Sequence, residues 1–293
     1  MLQRRETEPE ASAAARQPFP SGVRVLLPEE AARRRAIEGR IVVLLERSGY
    51  REVILPILDF AGCYDELTNA VPQRSSYRLV DRDGELLTLR SDFTPMVARA
   101  LAPALESSVE TRILYRGDVV RCESARLGGG REYFQIGAEL IGDASFDADL
   151  EIVRLAVAAA GEGCTVSCGD ASLPELLGQR APGEPDAARL LERLRRGALE
   201  VPELAACSAT AALVERFERL GSALSEAGSR LVVVFDPDDA RGYYSGIRFR
   251  IYPSGSNTPV ARGGRYDSLY AKFGADVPAV GFTLSVDALE VMR

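Results

Sequence analysis

The chain has 293 residues, 46% hydrophobic and 27% charged, enough for one large domain or two modest ones around a sizeable core. Histidine is absent and Lys272 is the only lysine, which excludes Ser-His-Asp and Cys-His catalysis, histidine-bearing metal sites and a P-loop lysine. The net charge of −7 offers no general attraction to nucleic acid, and no apolar run approaches the ~20 residues of a membrane span.

Residues 1–18 are charged, lack the apolar stretch of a signal peptide and are expected to form a disordered tail. Pro28-Glu-Glu30 opens a helix, with proline suited to the first turn and acids facing the positive end of the dipole. Ile37, Ile41, Leu44 and Leu45 share one face of it, and Gly49 ends it. Glu52 to Ile57 reads as an extended segment whose Pro56 suits a strand edge or an interface. Tyr77 to Val80 and Leu86 to Leu89 flank Asp81-Arg-Asp-Gly84 as a hairpin. Thr94 reads as the N-cap of a helix running to about Leu105, with Pro95 at its first position. Thr111 to Cys122 and Glu132 to Ile141 read as strands joined by a loop holding Gly128, Gly129 and Gly130, and Asp147 to Ala160 as a helix.

Residues 161–228 turn rich in Ala, Leu, Glu and Arg and are expected to form a helical insert between two parts of one core, 19–160 and 229–293. Strands resume at Leu231 to Phe235 and Tyr244 to Tyr252, and Pro278 to Ser285 is a last strand before a short helix. This order predicts an α+β fold, with a mainly antiparallel sheet flanked by helices. The cysteines (Cys63, Cys122, Cys164, Cys168, Cys207) match neither a zinc knuckle nor a redox pair. They read as buried thiols of a protein in a reducing, cytoplasmic compartment. No metal or cofactor is expected.

Four stretches offer chemistry. Leu87-Thr-Leu-Arg-Ser-Asp-Phe-Thr-Pro95 puts Asp92 and Thr94 at a strand-to-helix junction, where they serve either a ligand or the helix cap. Arg121 and Glu123 on one strand, with Gln135 and Glu139 on the next, make either a polar pocket or a solvated face. Alternation points Gln135 and Glu139 the same way. Gly242-Tyr-Tyr-Ser-Gly246 offers paired tyrosines to a planar ligand or to a core. Arg262-Gly-Gly-Arg-Tyr-Asp267 reads as a flexible loop able to close Tyr266 over a ligand, or as a plain turn.

In this order the stretches resemble the catalytic core of the class II histidyl-tRNA synthetases. They resemble more closely a paralogous family, the regulatory subunits of ATP phosphoribosyltransferase. Gly49-Tyr-Arg-Glu-Val-Ile-Leu-Pro56 is similar to motif 1, whose proline lies at the dimer interface. Tyr115 to Gly142, with Arg121-Cys-Glu123 and Phe134-Gln-Ile-Gly-Ala-Glu139, resembles motif 2 and the following strand. Pro278-Ala-Val-Gly-Phe282 onward resembles motif 3, and the stretches at Gly242 to Gly246 and Gly263 to Asp267 resemble the two histidine-binding segments. The resemblance implies that Asp92 and Gln135 hold the amino group of histidine and Arg121 its carboxylate. It implies that Glu139 and Tyr244 hold the imidazole nitrogens, that Tyr266 closes over them, and that Thr94 lines the pocket. The donor and acceptor chemistry agrees with each pairing.

The departures separate regulator from synthetase. Activation of an amino acid needs cations around the ATP phosphates, each worth ~3 kcal/mol or about 100-fold in rate. Ala288 stands where the synthetases carry the motif 3 arginine, and Asp239, with Arg241 nearby, where they carry a catalytic one. Gly128-Gly-Gly130 replaces the motif 2 loop arginine. The resemblance therefore implies a non-catalytic regulatory subunit that activates a short-form ATP phosphoribosyltransferase catalytic subunit and confers feedback by L-histidine on the first step of histidine biosynthesis. It implies a homodimer, formed through the motif 1 segment, within a hetero-octamer. The alternative is a truncated histidine-activating (adenylating) ligase.

Overall fold

Helix α1 (Pro28–Arg47) carries Glu29 and Glu30 in its first turn and buries Ile37, Ile41 and Leu45 at helical spacing. Gly49, at φ +89°, takes the left-handed turn that ends it. Residues 19–62, 76–105, 109–122, 130–179, 185–196, 199–205, 207–235 and 244–291 are described by the computed structural model. The expected tail, Cys63, Glu123, Gly128, Gly129, Asp239, Arg241, Gly242 and Tyr243 lie outside them.

Strands β1 (Arg51–Glu52), β2 (Leu58–Phe60), β3 (Arg78–Val80) and β4 (Leu86–Leu89) follow. Helix α2 (Thr94–Leu101) comes next and gives way to a 3-10 turn, Ala102–Ala104, short of the expected Leu105. Thr94 is not its N-cap: Phe93 holds that position, and the Asp92 Oδ1 accepts the Thr94 N–H at 3.0 Å. The carboxylate therefore satisfies the orphan donor, and the Thr94 hydroxyl is released for another partner. Long strands β5 (Thr111–Val120) and β6 (Glu132–Ile141) pair antiparallel. Helix α3 (Phe146–Ala160) is capped by Ser145, whose hydroxyl accepts the Ala148 N–H at 3.2 Å.

The expected helical stretch begins with a strand, β7 (Thr165–Asp170), built into the main sheet, because Val166 and Cys168 alternate into the core. Helices α4 (Leu173–Gln179), α5 (Pro185–Arg195), α6 (Val201–Leu204) and α7 (Ala211–Glu226) then follow. Strands β8 (Arg230–Val233), β9 (Ile247–Tyr252) and β10 (Ala261–Arg265), helix α8 (Ser268–Ala271), strand β11 (Ala279–Ser285) and helix α9 (Val286–Glu290) complete the described chain.

The main sheet has eight strands in the order β1-β5-β6-β11-β10-β9-β7-β8, and β2-β4-β3 form a small second sheet. Among the described strands only the β1–β5 and β7–β8 pairs are parallel, so the α+β, mainly antiparallel expectation holds. The stretch around Gly263 and Gly264 is not a flexible loop but β10, paired on both edges. Its glycines answer to close packing. A Cβ on Gly263 would stand 2.3 Å from the Gly281 carbonyl, and one on Gly264 2.4 Å from the Ile247 carbonyl.

Alternation gives the sheet two unlike faces. Leu114, Ile136, Phe249, Val280 and Phe282 point to one side, into the core shared with α1, α3 and α7. On the other side Ile113, Tyr115 and Ala279 meet Phe93 and Val97 of the α2 region and Leu269 and Tyr270 of α8 in a second cluster. The register also puts Glu139, Gly137 and Gln135 of β6 on this second face, opposite Gly281, Thr283 and Ser285 of β11. A carboxylate between two apolar layers carries a desolvation cost that its hydrogen bonds must offset.

Candidate functional site

Glu139 is 1% exposed, at the centre of the second face. Its Oε1 accepts the Thr94 hydroxyl at 2.9 Å and the Tyr115 hydroxyl at 3.1 Å. Its Oε2 is buried without a hydrogen-bond partner among the described residues. Burial pushes its carboxyl up to about 8; the Thr94 and Tyr115 hydrogen bonds pull it back, and the Asp92 charge pushes further. Oε1 is thus committed to two donors, and Oε2 is not.

Tyr115 is held by more than this bond. Its ring stacks on Phe93 at 4.5 Å, lies across Gly137, and its hydroxyl meets the Thr283 hydroxyl at 2.8 Å. Gly137 is opposite Tyr115 in register, and a Cβ there would stand 2.3 Å from the ring. The sequence reasoning missed Tyr115 and Thr283. Their signal is a large residue on β5 facing a glycine on β6, visible only once the pairing register is known.

Asp92 and Thr94 reach the pocket from the turn before α2, one as the cap and the other as a donor to Glu139. Arg121 backs the same turn: its Nε donates to the Ser91 carbonyl at 3.1 Å, and its guanidinium lies 5.7 Å from the Tyr133 ring centre. Gln135 is buried one strand repeat from Gly137, on the Glu139 face, as alternation predicts. Tyr244 lies against Gly264, its ring 2.7 Å from where a Cβ would stand. Burial, then the Asp92 charge, push its phenol up to about 12, while Arg262 pulls it down. Tyr266, following β10, is 2% exposed, and its hydroxyl lies 2.5 Å from the position of a Gly281 Cβ. Tyr270 is fully buried, its hydroxyl has no partner among the described residues, and burial and the Glu139 charge raise it well above the ordinary phenol value.

Arg90 was not singled out by the sequence reasoning and proves to be the clamp beneath this site. Its guanidinium donates to the Asp118 carbonyl at 2.8 Å and to the Leu55 and Pro56 carbonyls at 2.8 and 3.1 Å, 4.0 Å from the Phe93 ring centre. Arg265 does the same for Tyr266: it pairs with buried Asp149 at 2.8 Å and donates to the Asp143 and Ser145 carbonyls. Among the described residues no cluster of acids and cysteines fits a metal ion, and no helix is long and apolar enough to cross a membrane. The second face thus holds one carboxylate and several buried phenols among apolar side chains, groups that suit a small ligand with both an aromatic ring and N–H donors.

The histidyl-tRNA synthetase family model matches residues 22–206 and 171–289. The ATP phosphoribosyltransferase regulatory subunit of Moorella thermoacetica is 33% identical to this chain over 94% of it and 82% of the relative. That of Anaeromyxobacter dehalogenans is 32% identical over 92% and 89%. The chain belongs to the family of ATP phosphoribosyltransferase regulatory subunits. Among solved structures, a Bacillus halodurans protein described as an ATP phosphoribosyltransferase regulatory subunit/histidyl-tRNA synthetase shares the fold at TM-score 0.75 and 24% identity, over 94% of this chain and 84% of that one. A histidine–tRNA ligase subunit from Alicyclobacillus acidocaldarius matches at TM-score 0.70 and 27% identity, over 93% and 96%.

For a regulatory subunit of this family, the surroundings of Ala288 are informative. Helix α9 presents acids, not cations, and they are engaged in holding the fold. The Asp287 Oδ2 accepts the Phe134 N–H at 2.6 Å, and Glu290 pairs with Arg34 of α1 at 2.8 Å. The Ala288 N–H is used by the Ser285 cap at 3.3 Å.

Proposed function

We propose that this chain is the non-catalytic regulatory subunit of an ATP phosphoribosyltransferase assembly and takes L-histidine in the Glu139 pocket. The observation that carries the ligand is the buried Glu139 Oε2 with no partner, beside an Oε1 already holding two donors. An imidazole N–H is a matching donor, and the enclosed Tyr244 phenol is the second polar group for the ring. Asp92 and Gln135 then take the ammonium and Arg121 the carboxylate, with Thr94 lining the pocket and Tyr266 closing it. The short-form catalytic subunit, in the cytoplasm, would join ATP to phosphoribosyl pyrophosphate, and this chain would raise its activity. Histidine reverses that effect only if it binds the less active state of the assembly more tightly.

Dimerisation through the motif 1 segment is part of this reading and is supported by exposed apolar surface. Ile54 is 90% exposed and Phe60 55%, and Phe60, Leu87 and Leu79 form one apolar row across the small sheet. A hetero-octamer would be built from such dimers. The deciding experiment mixes purified short-form catalytic subunit with this chain and follows phosphoribosyl-ATP formation across a histidine titration. Activation that histidine reverses is the expected result. No activation, with histidine-dependent pyrophosphate–ATP exchange by this chain alone, would replace the regulator with a histidine-activating ligase.

A further inference from the structure

The second face of the main sheet is divided in charge. Its β5-β6-β11 half holds Glu139, whereas the β10-β9-β7-β8 half presents Arg262, Arg248, Arg250 and Arg230 and no carboxylate on the same face. In a chain of net charge −7 that segregation is not a composition effect. Arg250 and Arg262 are directly opposite one another across β9 and β10, and both are exposed. Like charges opposed on one sheet face destabilise it, so the pair is a local conflict that the fold retains. Neither forms an ion pair with a described residue.

The register extends this pair into a row. Ser167 of β7 is opposite Arg250, and Thr283 of β11 is opposite Arg262. Residues bearing a hydroxyl, a guanidinium, a guanidinium and a hydroxyl therefore stand in one row on four adjacent strands, whose backbones are spaced ~4.8 Å apart. The row ends at Thr283, whose hydroxyl bonds Tyr115 and through it joins the Glu139 cluster.

We propose that Arg250 and Arg262, flanked by Ser167 and Thr283, form a phosphoryl-binding subsite contiguous with the Glu139 pocket. Two guanidiniums carry two positive charges, which one carboxylate leaves half-neutralised. A phosphoryl group carries close to two negative charges and several acceptor oxygens, and guanidinium forks bind such oxygens in pairs. Pyrophosphate, with two phosphoryl groups, can set one on each arginine. The subsite stands on the arginine row alone and does not depend on histidine being the ligand of the adjoining pocket.

The test is calorimetric titration of the full chain with inorganic pyrophosphate and, separately, ribose 5-phosphate, at low ionic strength, with sodium chloride matching the ionic strength in a control. Saturable binding of either is expected, weakened roughly tenfold or more by Arg262→Ser and abolished in Arg250→Ser/Arg262→Ser. Arg230→Ser, an exposed arginine of the same face outside the row, should leave it unchanged, and the titration is run without histidine, which keeps this result separate from the fate of the histidine reading. Thermal melts of each variant establish that the sheet is intact. No binding by the unaltered chain overturns the proposal. Undiminished binding in the double variant overturns it equally.

Discussion

Gly281 stands directly opposite Glu139 across β11 and β6, and a Cβ placed on it would come within 1.6 Å of the Glu139 Oε2. The same atom would lie 2.5 Å from the Tyr266 hydroxyl and 2.7 Å from the Ala138 carbonyl. The room that the Glu139 carboxylate itself occupies thus exists because one residue lacks a side chain. Gly281→Ala should displace the carboxylate: histidine binding is expected to fall below detection by calorimetry. Overpacking of this kind costs about 1–3 kcal/mol, to be read from a denaturant melt. Normal affinity in the variant would mean that the ligand does not use this oxygen.

Glu139 also makes stability depend on pH with a definite sign. Its folded-state carboxyl is raised to about 8 from 4.5, so between those values the folded chain holds a proton that the unfolded chain has lost. Stability from this residue is full below the unfolded value, falls as pH rises, and levels off above about 8. Asp149, raised by burial to about 6, adds the same trend over a narrower range. The difference between the parent and Glu139→Gln isolates the first residue. Melting temperatures of the two should diverge steadily from about pH 5 to 8, the glutamine variant losing less. Parallel curves would mean that the carboxylate is ionised throughout.

Thr94 and Tyr115 both donate to Glu139 Oε1, so they should not behave independently. Thr94→Val and Tyr115→Phe each remove one donor, at a cost of about 1–2 kcal/mol when the acceptor stays buried. The double variant should depart from the sum by at least about 0.5 kcal/mol, because both act through one atom. Urea unfolding of the four chains of the cycle measures this. Strict additivity would show that the shared acceptor is not the energetic link.

How much of this was legible beforehand follows from which signals are local. Glu139, Gln135 and Thr94 are on the face and at the junction that alternation and helix-start chemistry indicate, since both patterns are written in consecutive residues. The α+β class was legible for the same reason. Gly263 and Gly264 misled because a Gly-Gly pair has the composition of a turn. Here it meets the Gly281 carbonyl and the Tyr244 ring, contacts far away in the chain. Strand β7 departs from the helical insert expected of 161–228: Thr165 and Val166 are strand formers at the start of that stretch, and pairing with β9 sets them in the main sheet. Tyr115, Thr283, Arg90 and the Arg250–Arg262 pair all depend on register, which no single segment carries.

Arg90 supplies the last test, because it joins the pocket to the surface read as the dimer interface. Its Nη1 holds the Leu55 and Pro56 carbonyls, while its Nε and Nη2 hold the Asp118 carbonyl of β5, so four hydrogen bonds of fixed geometry tie two chain segments together. Lysine keeps the charge but has no planar fork and cannot reach both sides at once. Arg90→Lys should therefore loosen the Leu55–Pro56 segment and, with it, the adjoining exposed Ile54 and Ile57. The expected outcome is a dimer that dissociates at least about tenfold more readily, seen as a concentration-dependent shift to monomer in light scattering. Far-ultraviolet dichroism should stay unchanged, since Arg90 caps no helix. A variant that remains as dimeric as the parent would separate the motif 1 segment from assembly and leave Arg90 a role in the pocket alone.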